Sequence, residues 1–285
     1  MLTRAANTPV YSFEFFPPKT PEGVKKLEAT SLQLAALKPG FFSVTFGAGG
    51  STRDRTFETV MDIREKSGIE VAPHLSCISS TRENIREIID TYRDDGIGHM
   101  VALRGDIPSG TVEAGEFRYA NELVSYIREE TGDHFHIEVA AYPEYHPQAS
   151  SPDRDFANFR RKVEAGANSA LTQYFYNTDA YFRFTDRCET AGIDIPVVPG
   201  IMPITNYHQL ARFSDNCGAE IPRWVRKRLE AFGEDLESIR AFGEEVVSGL
   251  CTRLVEQGVP GLHFYTLNRA EPSMKIWKNL GLGNT

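Results

Sequence analysis

The chain has 285 residues, 41% hydrophobic and 25% charged, an ordinary globular balance that gives no support to a disordered or fibrous protein. Its formal net charge of -8 argues against a general nucleic-acid binder, because polyphosphate is attracted to a cationic surface. The four cysteines, Cys77, Cys188, Cys217 and Cys251, stand far apart without CxxC spacing, so buried reduced thiols are expected rather than a zinc ribbon or a secreted disulfide framework. The opening MLTRAANTPVYSFEFFPP has no apolar run of signal or membrane length, and a cytoplasmic location is expected.

Along the chain, short β-rich apolar runs alternate with longer helical stretches. Strands are predicted at 10–15, 41–46, 70–75, 99–103, 135–141, 169–174, 196–201 and 261–266. Helix starts are marked by Thr20-Pro21-Glu22, by Ser80-Thr81-Arg82-Glu83 and by Ser151-Pro152-Asp153, each placing a hydroxyl before the first turn. The interval 206–260 is long and holds helical patterns over 222–232 and 235–257, so the crossover before the last strand should carry an extra helix. Eight strands in strict alternation with helices predict an α/β chain folded as a (β/α)8 TIM barrel, with residues 1–285 forming a single domain. A doubly wound sheet would carry a phosphate fingerprint after its first strand. Here that strand ends in Phe15-Phe16-Pro17-Pro18, and the Gly-rich Gly47-Ala48-Gly49-Gly50-Ser51 follows the second strand without GxGxxG spacing.

Barrel enzymes place their chemistry at the C-terminal ends of the strands. Those ends carry Glu14, Thr45, His74, Arg104 with Asp106, Tyr142 with His146, Gln173 and Tyr265. Glu14 is the most informative, because an unpaired carboxylate among strand aromatics is costly. Alternation sets it on the Val10 and Ser12 face, opposite Tyr11, Phe13 and Phe15, so it should point into the barrel mouth. There, burial would raise its pKa and suit it to general-acid work, the alternative being a salt bridge to a nearby Arg or Lys. Gly105 would let backbone approach a ligand, flanked by the opposite charges of Arg104 and Asp106. The histidines and carboxylates show no metal-binding spacing, so no metal is expected. After Ser151, the positions Asp155, Asn158 and Lys162 share one helix face with Arg161 alongside, while Phe156, Phe159 and Val163 take the core side. That face suits either an anionic ligand or plain solvent.

Taken in order, Phe13-Glu14-Phe15-Phe16-Pro17-Pro18, Ser43-Val44-Thr45, Arg53-Asp54-Arg55-Thr56, Ala72-Pro73-His74-Leu75 and Val101-Ala102-Leu103-Arg104-Gly105-Asp106 form one set of motifs. Ala140-Ala141-Tyr142-Pro143-Glu144, Arg161-Lys162-Val163, Thr172-Gln173, Pro199-Gly200-Ile201 and His263-Phe264-Tyr265-Thr266-Leu267-Asn268-Arg269-Ala270 continue it. Together they resemble the bacterial methylenetetrahydrofolate reductase family from Phe13 to Ala270. Phe46 departs from the pattern, standing where many bacterial relatives have tyrosine.

The resemblance implies noncovalent FAD at the strand ends, contacted by Thr45, Phe46, Ala48, His74, Arg104, Gly105, Asp106, Tyr119, Ala120, Tyr142, His146, Ala149, Asp155, Asn158, Arg161 and Lys162. It implies substrate contacts at Asp106, Gln173, Gln209, Phe213, Tyr265 and Arg269, and catalytic roles for Glu14 and Asp106. The implied reaction is ping-pong reduction of 5,10-methylenetetrahydrofolate to 5-methyltetrahydrofolate with NADH or NADPH, which supplies methyl groups for methionine synthesis. Glu14 would protonate N10 as the five-membered ring opens to an N5 iminium, and ionised Asp106 would stabilise that cation. A homo-oligomer is expected, and control by the C-terminal regulatory domain of eukaryotic members is not. Two alternatives stay open: a family member reduced by a protein electron donor, and a flavin- or folate-binding barrel that does not turn over.

Overall fold

The computed structural model describes residues 8–46, 50–105 and 115–282. The chain begins with β1 (Val10–Phe15), α1 (Pro21–Ala35), β2 (Phe41–Val44), α2 (Gly50–Ser67), β3 (Val71–Ser76), α3 (Arg82–Asp94), β4 (His99–Leu103) and α4 (Ala120–Thr131). It continues through β5 (His136–Ala141), α5 (Pro152–Glu164), β6 (Ser169–Thr172), α6 (Thr178–Thr190), β7 (Val197–Val198) and β8 (Gly200–Ile201). Three helices follow, α7 (Tyr207–Cys217), α8 (Arg223–Phe232) and α9 (Leu236–Glu256), before β9 (Gly261–Tyr265) and α10 (Ala270–Asn279).

The nine strands form one sheet in the order β7-β6-β5-β4-β3-β2-β1-β9-β8, and every recorded pairing is parallel. The two ends of that order, β7 and β8, are consecutive in the chain on either side of Pro199, so the sheet closes on itself as a barrel. Proline has no N–H to give the ladder, and Pro199 divides the expected seventh strand in two. Its carbonyl still accepts from the His263 amide at 3.0 Å, which holds the seam together.

The expected helix starts are present: Thr20, Thr81 and Ser151 accept from the amides of Gly23, Asn84 and Arg154, and Pro21 and Pro152 open their helices. The extra helical content lies where the sequence puts it, between β8 and β9, although three helices rather than two fill that interval.

Two apolar layers follow from strand alternation. Residues facing outward, Phe13 and Phe264 among them, pack under the helices, with their rings stacked at 5.3 Å and Trp277 of α10 5.9 Å from Phe13. Such aromatic pairs add about 0.5–1.5 kcal/mol each beyond the area they bury. Inside the barrel Phe41, Ala72, Val101, Leu171 and Val198 form a second, smaller cluster. Polar side chains occupy the barrel on either side of this plug, Glu14 toward the C-terminal strand ends and Glu138 toward the N-terminal ends. Among the described residues, no helix is long and apolar enough to cross a membrane.

Candidate active site

A cleft of about 550 Å³ opens at the C-terminal ends of the strands. Val101, Leu103, Ala140 and Leu171 give it an apolar floor, and Glu14, Thr45, Phe46, His74, Gly105, Tyr142, Gln173, Phe213 and Tyr265 bring polar and aromatic groups to its wall. A second hollow of about 530 Å³ lies against the outer helices, lined by Arg82, Arg86, Glu87, Glu130 and other charged groups away from the strand ends. Ionic partners such as Arg86 and Glu130, 2.5 Å apart, already occupy it.

Glu14 points inward as alternation requires, but its partners are imidazoles rather than an Arg or Lys. His263 Nε2 lies 3.4 Å from Glu14 Oε2, and His263 Nδ1 lies 2.7 Å from Ser12 Oγ. His74 Nε2 approaches the same Oε2 to 3.3 Å, an ion-pair distance without hydrogen-bond geometry. Strand register builds this group: His263 is paired with Ser12 and Tyr265 with Glu14 across the β1–β9 ladder. Burial pushes the Glu14 carboxyl up, yet the charge of His74 and the hydrogen bond from His263 outweigh it and bring the pKa down to about 2. The expected rise from desolvation is therefore reversed by the neighbours.

Tyr265 sits beside Glu14 with its hydroxyl donating to Thr172 O at 2.7 Å, and burial with the nearby Glu14 charge raises its pKa well above the ordinary value. It is a fixed neutral phenol. Gly105 has φ +84°, and a Cβ there would lie 1.8 Å from Ser76 Oγ. The protein's own Ser76 thus fills the side on which the sequence suggested a ligand, while Gly105 backbone still lines the cleft. Arg104 turns to Gln148 Oε1.

The remaining expected cofactor residues that the structure describes do not line this cleft but gather on neighbouring segments. Asp155 accepts from the His146 amide at 3.0 Å, Tyr142 and His146 pack edge to face at 4.7 Å, and the Ala149 amide donates to His146 O at 2.8 Å. Asn158 accepts from Arg161 at 2.9 Å, and Lys162 donates to Ala140 O. Burial, opposed by Asp155, lowers the Lys162 pKa to about 8. Tyr119 caps α4 and Ala120 begins it. Of the expected substrate contacts, Gln209 lies in the first turn of α7 and Arg269 is exposed at the N-cap of α10; neither lines the cleft. Asp106 and Ala48 lie outside the described residues.

Several residues absent from the expected site belong to it. Ser76, Tyr174, Met202, Asn216 and Cys217 line the cleft, and His263 holds Glu14 from below. His263 was within reach of the sequence, since period 2 on the last strand sets it on the Tyr265 face. The others depend on how the strand-end loops and α7 fold over the mouth. The four cysteines are free thiols, with Cys217 half-buried and the rest buried.

Comparison with known proteins agrees with the motifs. The methylenetetrahydrofolate reductase family model matches residues 2–281. This chain belongs to that family. The 5,10-methylenetetrahydrofolate reductase of Salmonella typhimurium is 45% identical over 271 residues, covering 95% of this chain and 90% of that protein. The Escherichia coli protein of the same name is 44% identical with the same coverage. Methylenetetrahydrofolate reductase (NADH) 1 of Arabidopsis thaliana is 39% identical over 95% of this chain but only 48% of its own length. Among solved structures, an uncharacterized Clostridium thermocellum protein that binds two copies of 5-methyl-5,6,7,8-tetrahydrofolic acid has a TM-score of 0.68 at 14% identity, covering 97% of this chain and 96% of that one. At that identity the likeness is one of fold.

Proposed function

We propose that this chain reduces 5,10-methylenetetrahydrofolate to 5-methyltetrahydrofolate, with bound FAD and with NADH or NADPH as electron source, and that residues 1–285 act as one catalytic unit. The observation that carries the reading is Glu14, a half-buried carboxylate facing the strand-end cleft of a chain that belongs to this reductase family.

The residues present fit a flavin. The cleft offers an apolar floor with Gln173 and Tyr142 as polar groups at its wall, and α5 presents Arg161 and Lys162 nearby. The Lys162 amine donates to the neutral carbonyl of Ala140 and faces the Asp155 carboxylate only electrostatically, so it can also serve a diphosphate. Thr45, Phe46, His74, Gly105 and Tyr142 would hold the ring end, and Arg104, Tyr119, Ala120, His146, Ala149, Asp155, Asn158, Arg161 and Lys162 the nucleotide end, with Ala48 and Asp106 completing the set. FAD, when bound, supplies the redox chemistry between nicotinamide and folate.

The protein's own work is to move one proton and stabilise one charge. Ring opening of the substrate needs a proton on N10, and Glu14 delivers it. Beside its two imidazoles Glu14 is ionised at neutral pH, so it must be charged with a proton once substrate arrives. A filled cleft strips water from the carboxylate and raises its proton affinity, and His74 and His263 are the adjacent groups through which a proton reaches it. Asp106 stabilises the resulting iminium, and Asp106→Asn should slow the folate half-reaction more than the nicotinamide one. Gln173 supplies an amide, Phe213 an aromatic platform, and Gln209, Tyr265 and Arg269 complete substrate binding, with Arg269 paired to a folate carboxylate. Donor and acceptor use the same mouth in turn, which makes the kinetics ping-pong. Cytoplasmic location and a homo-oligomeric state go with this reading.

An anaerobic titration tests it. The yellow protein should bleach with NADH or NADPH and regain colour with methylenetetrahydrofolate, yielding 5-methyltetrahydrofolate. A flavin that neither nucleotide reduces would favour a protein electron donor, and failure to retain flavin would sink the cofactor assignment.

A further inference from the structure

At the opposite end of the barrel, register assembles a second polar cluster from three strands. His99 opens β4 and pairs directly with His136, which opens β5, and Glu138 pairs with Ser169 of β6. His136 and Glu138 are two apart on one strand and so share its inner face. Sequence spacing cannot show this group, because its third member comes from a neighbouring strand.

The geometry is that of a ligand set. Glu138 Oε1 lies 3.3 Å from His99 Nε2 and 3.5 Å from His136 Nε2. In a tetrahedral zinc site with bonds of about 2.0–2.1 Å, adjacent donor atoms stand about 3.4 Å apart. The three donor atoms all lie within 4.8 Å of one another, so the His99–His136 edge is no longer than that, and His136, about half exposed, can rotate to adjust it. Glu138 is 3% exposed, and its Oε2 meets no donor at hydrogen-bond geometry among the described residues. Oε1 is already shared between the two imidazoles, so Oε2 is the oxygen left to take a further donor or cation. Phe41 packs on His99 at 4.3 Å between ring centroids and gives the cluster an apolar wall.

We propose that His99, His136 and Glu138 bind a divalent transition metal of the zinc class at the N-terminal end of the barrel, separate from the reductase cleft. Two imidazoles and one carboxylate suit Zn²⁺ better than Mg²⁺ or Ca²⁺, which prefer all-oxygen sites. The exposed side of His136 provides the entry path and room for a water as fourth ligand. Ser169 Oγ, 2.8 Å from His136 Nε2, exchanges that hydrogen bond for one to the metal-bound water. The ion ties β4 to β5 at the base of the barrel, so its role is structural, and the inference does not depend on the folate reading.

The test uses the full chain as purified, stripped with a chelator and titrated with Co²⁺ alone, whose tetrahedral d–d bands lie to the red of flavin absorption, then with Zn²⁺ alone. One equivalent of Co²⁺ should give those bands, Zn²⁺ should abolish them, and saturating Zn²⁺ should raise Tm by about 4 °C or more. His136→Ala, at the exposed rim where folding tolerates it, should weaken Co²⁺ binding about 10- to 100-fold and remove the Tm shift. Absence of stoichiometric binding by the wild-type chain overturns the proposal whatever the variant does. Binding that His136→Ala and Glu138→Gln both leave unchanged overturns it too.

Discussion

The imidazole of His263 joins Ser12 to Glu14, accepting or donating at Ser12 Oγ over 2.7 Å and meeting Glu14 Oε2 at 3.4 Å. The three residues come from the first and last strands of the barrel, so the carboxylate assigned to proton delivery is positioned by the strand that closes the sheet.

His263→Ala removes that bond and leaves burial to act with less opposition. The Glu14 pKa should then rise from about 2. The pH dependence of the folate half-reaction, followed by stopped flow, should move upward while flavin reduction by nicotinamide keeps its profile. Identical shifts in both half-reactions would contradict the relation.

Glu14→Gln keeps the shape and removes the proton. Folate reduction should fall about 10²- to 10⁴-fold, the usual contribution of a general acid, with flavin reduction nearly intact. Loss of both half-reactions together would mean that Glu14 holds the site rather than serving the chemistry.

The same carboxyl links stability to acidity. Its pKa in the fold lies below the ordinary 4.5, so its stabilisation is complete above 4.5 and is lost as pH falls toward about 2. Tm should drop across that window for the wild type and less steeply for Glu14→Gln. Parallel curves for the two proteins would show that the imidazole pairing contributes nothing to the fold.

Lys162 titrates near 8 before any anion meets it. If it faces the FAD diphosphate, binding takes up a proton above that pH, and affinity should weaken by up to about tenfold per pH unit there. Lys162→Met should weaken FAD binding and flatten the dependence. Equilibrium dialysis from pH 7 to 10 reads both, and an unchanged slope in Lys162→Met would remove the residue from the cofactor site.

Gly105→Ala confronts two problems at once, a φ of +84° and Ser76 Oγ at 1.8 Å from the new Cβ. A cost of about 1–3 kcal/mol is expected from the backbone alone. Adding Ser76→Ala should recover part of the lost Tm, because it relieves the contact and not the dihedral. Full recovery would place the whole effect in the clash.

Much of the architecture was legible in the residues. Strand alternation set Glu14 on the inner face and Phe13 under the helices, and the Thr20, Thr81 and Ser151 caps marked helix starts because a side-chain oxygen beside free amides is a local interaction. Pro199 was visible too, but its effect was not: it divides one strand while its carbonyl keeps the ladder joined to His263. The partners of Glu14 and the His99–His136–Glu138 group were beyond a linear reading, because both depend on which residues face each other once the barrel has a register. The sign of the Glu14 shift followed the same limit. Desolvation can be inferred from flanking aromatics, whereas two imidazoles arriving from β3 and β9 cannot.

Closure through β1 and β9 also has a meaning in time. A ribosome makes Glu14 some 250 residues before His263, and until β9 arrives β1 has an unpaired edge and a carboxylate lacking one of its two imidazoles. The seam is among the longest-range pairings in the fold, so chain-closure entropy weighs most heavily on it. The Ser12–His263–Glu14 group is therefore assembled only in chains whose barrel has shut, and a stalled intermediate with every earlier strand in place would still lack it.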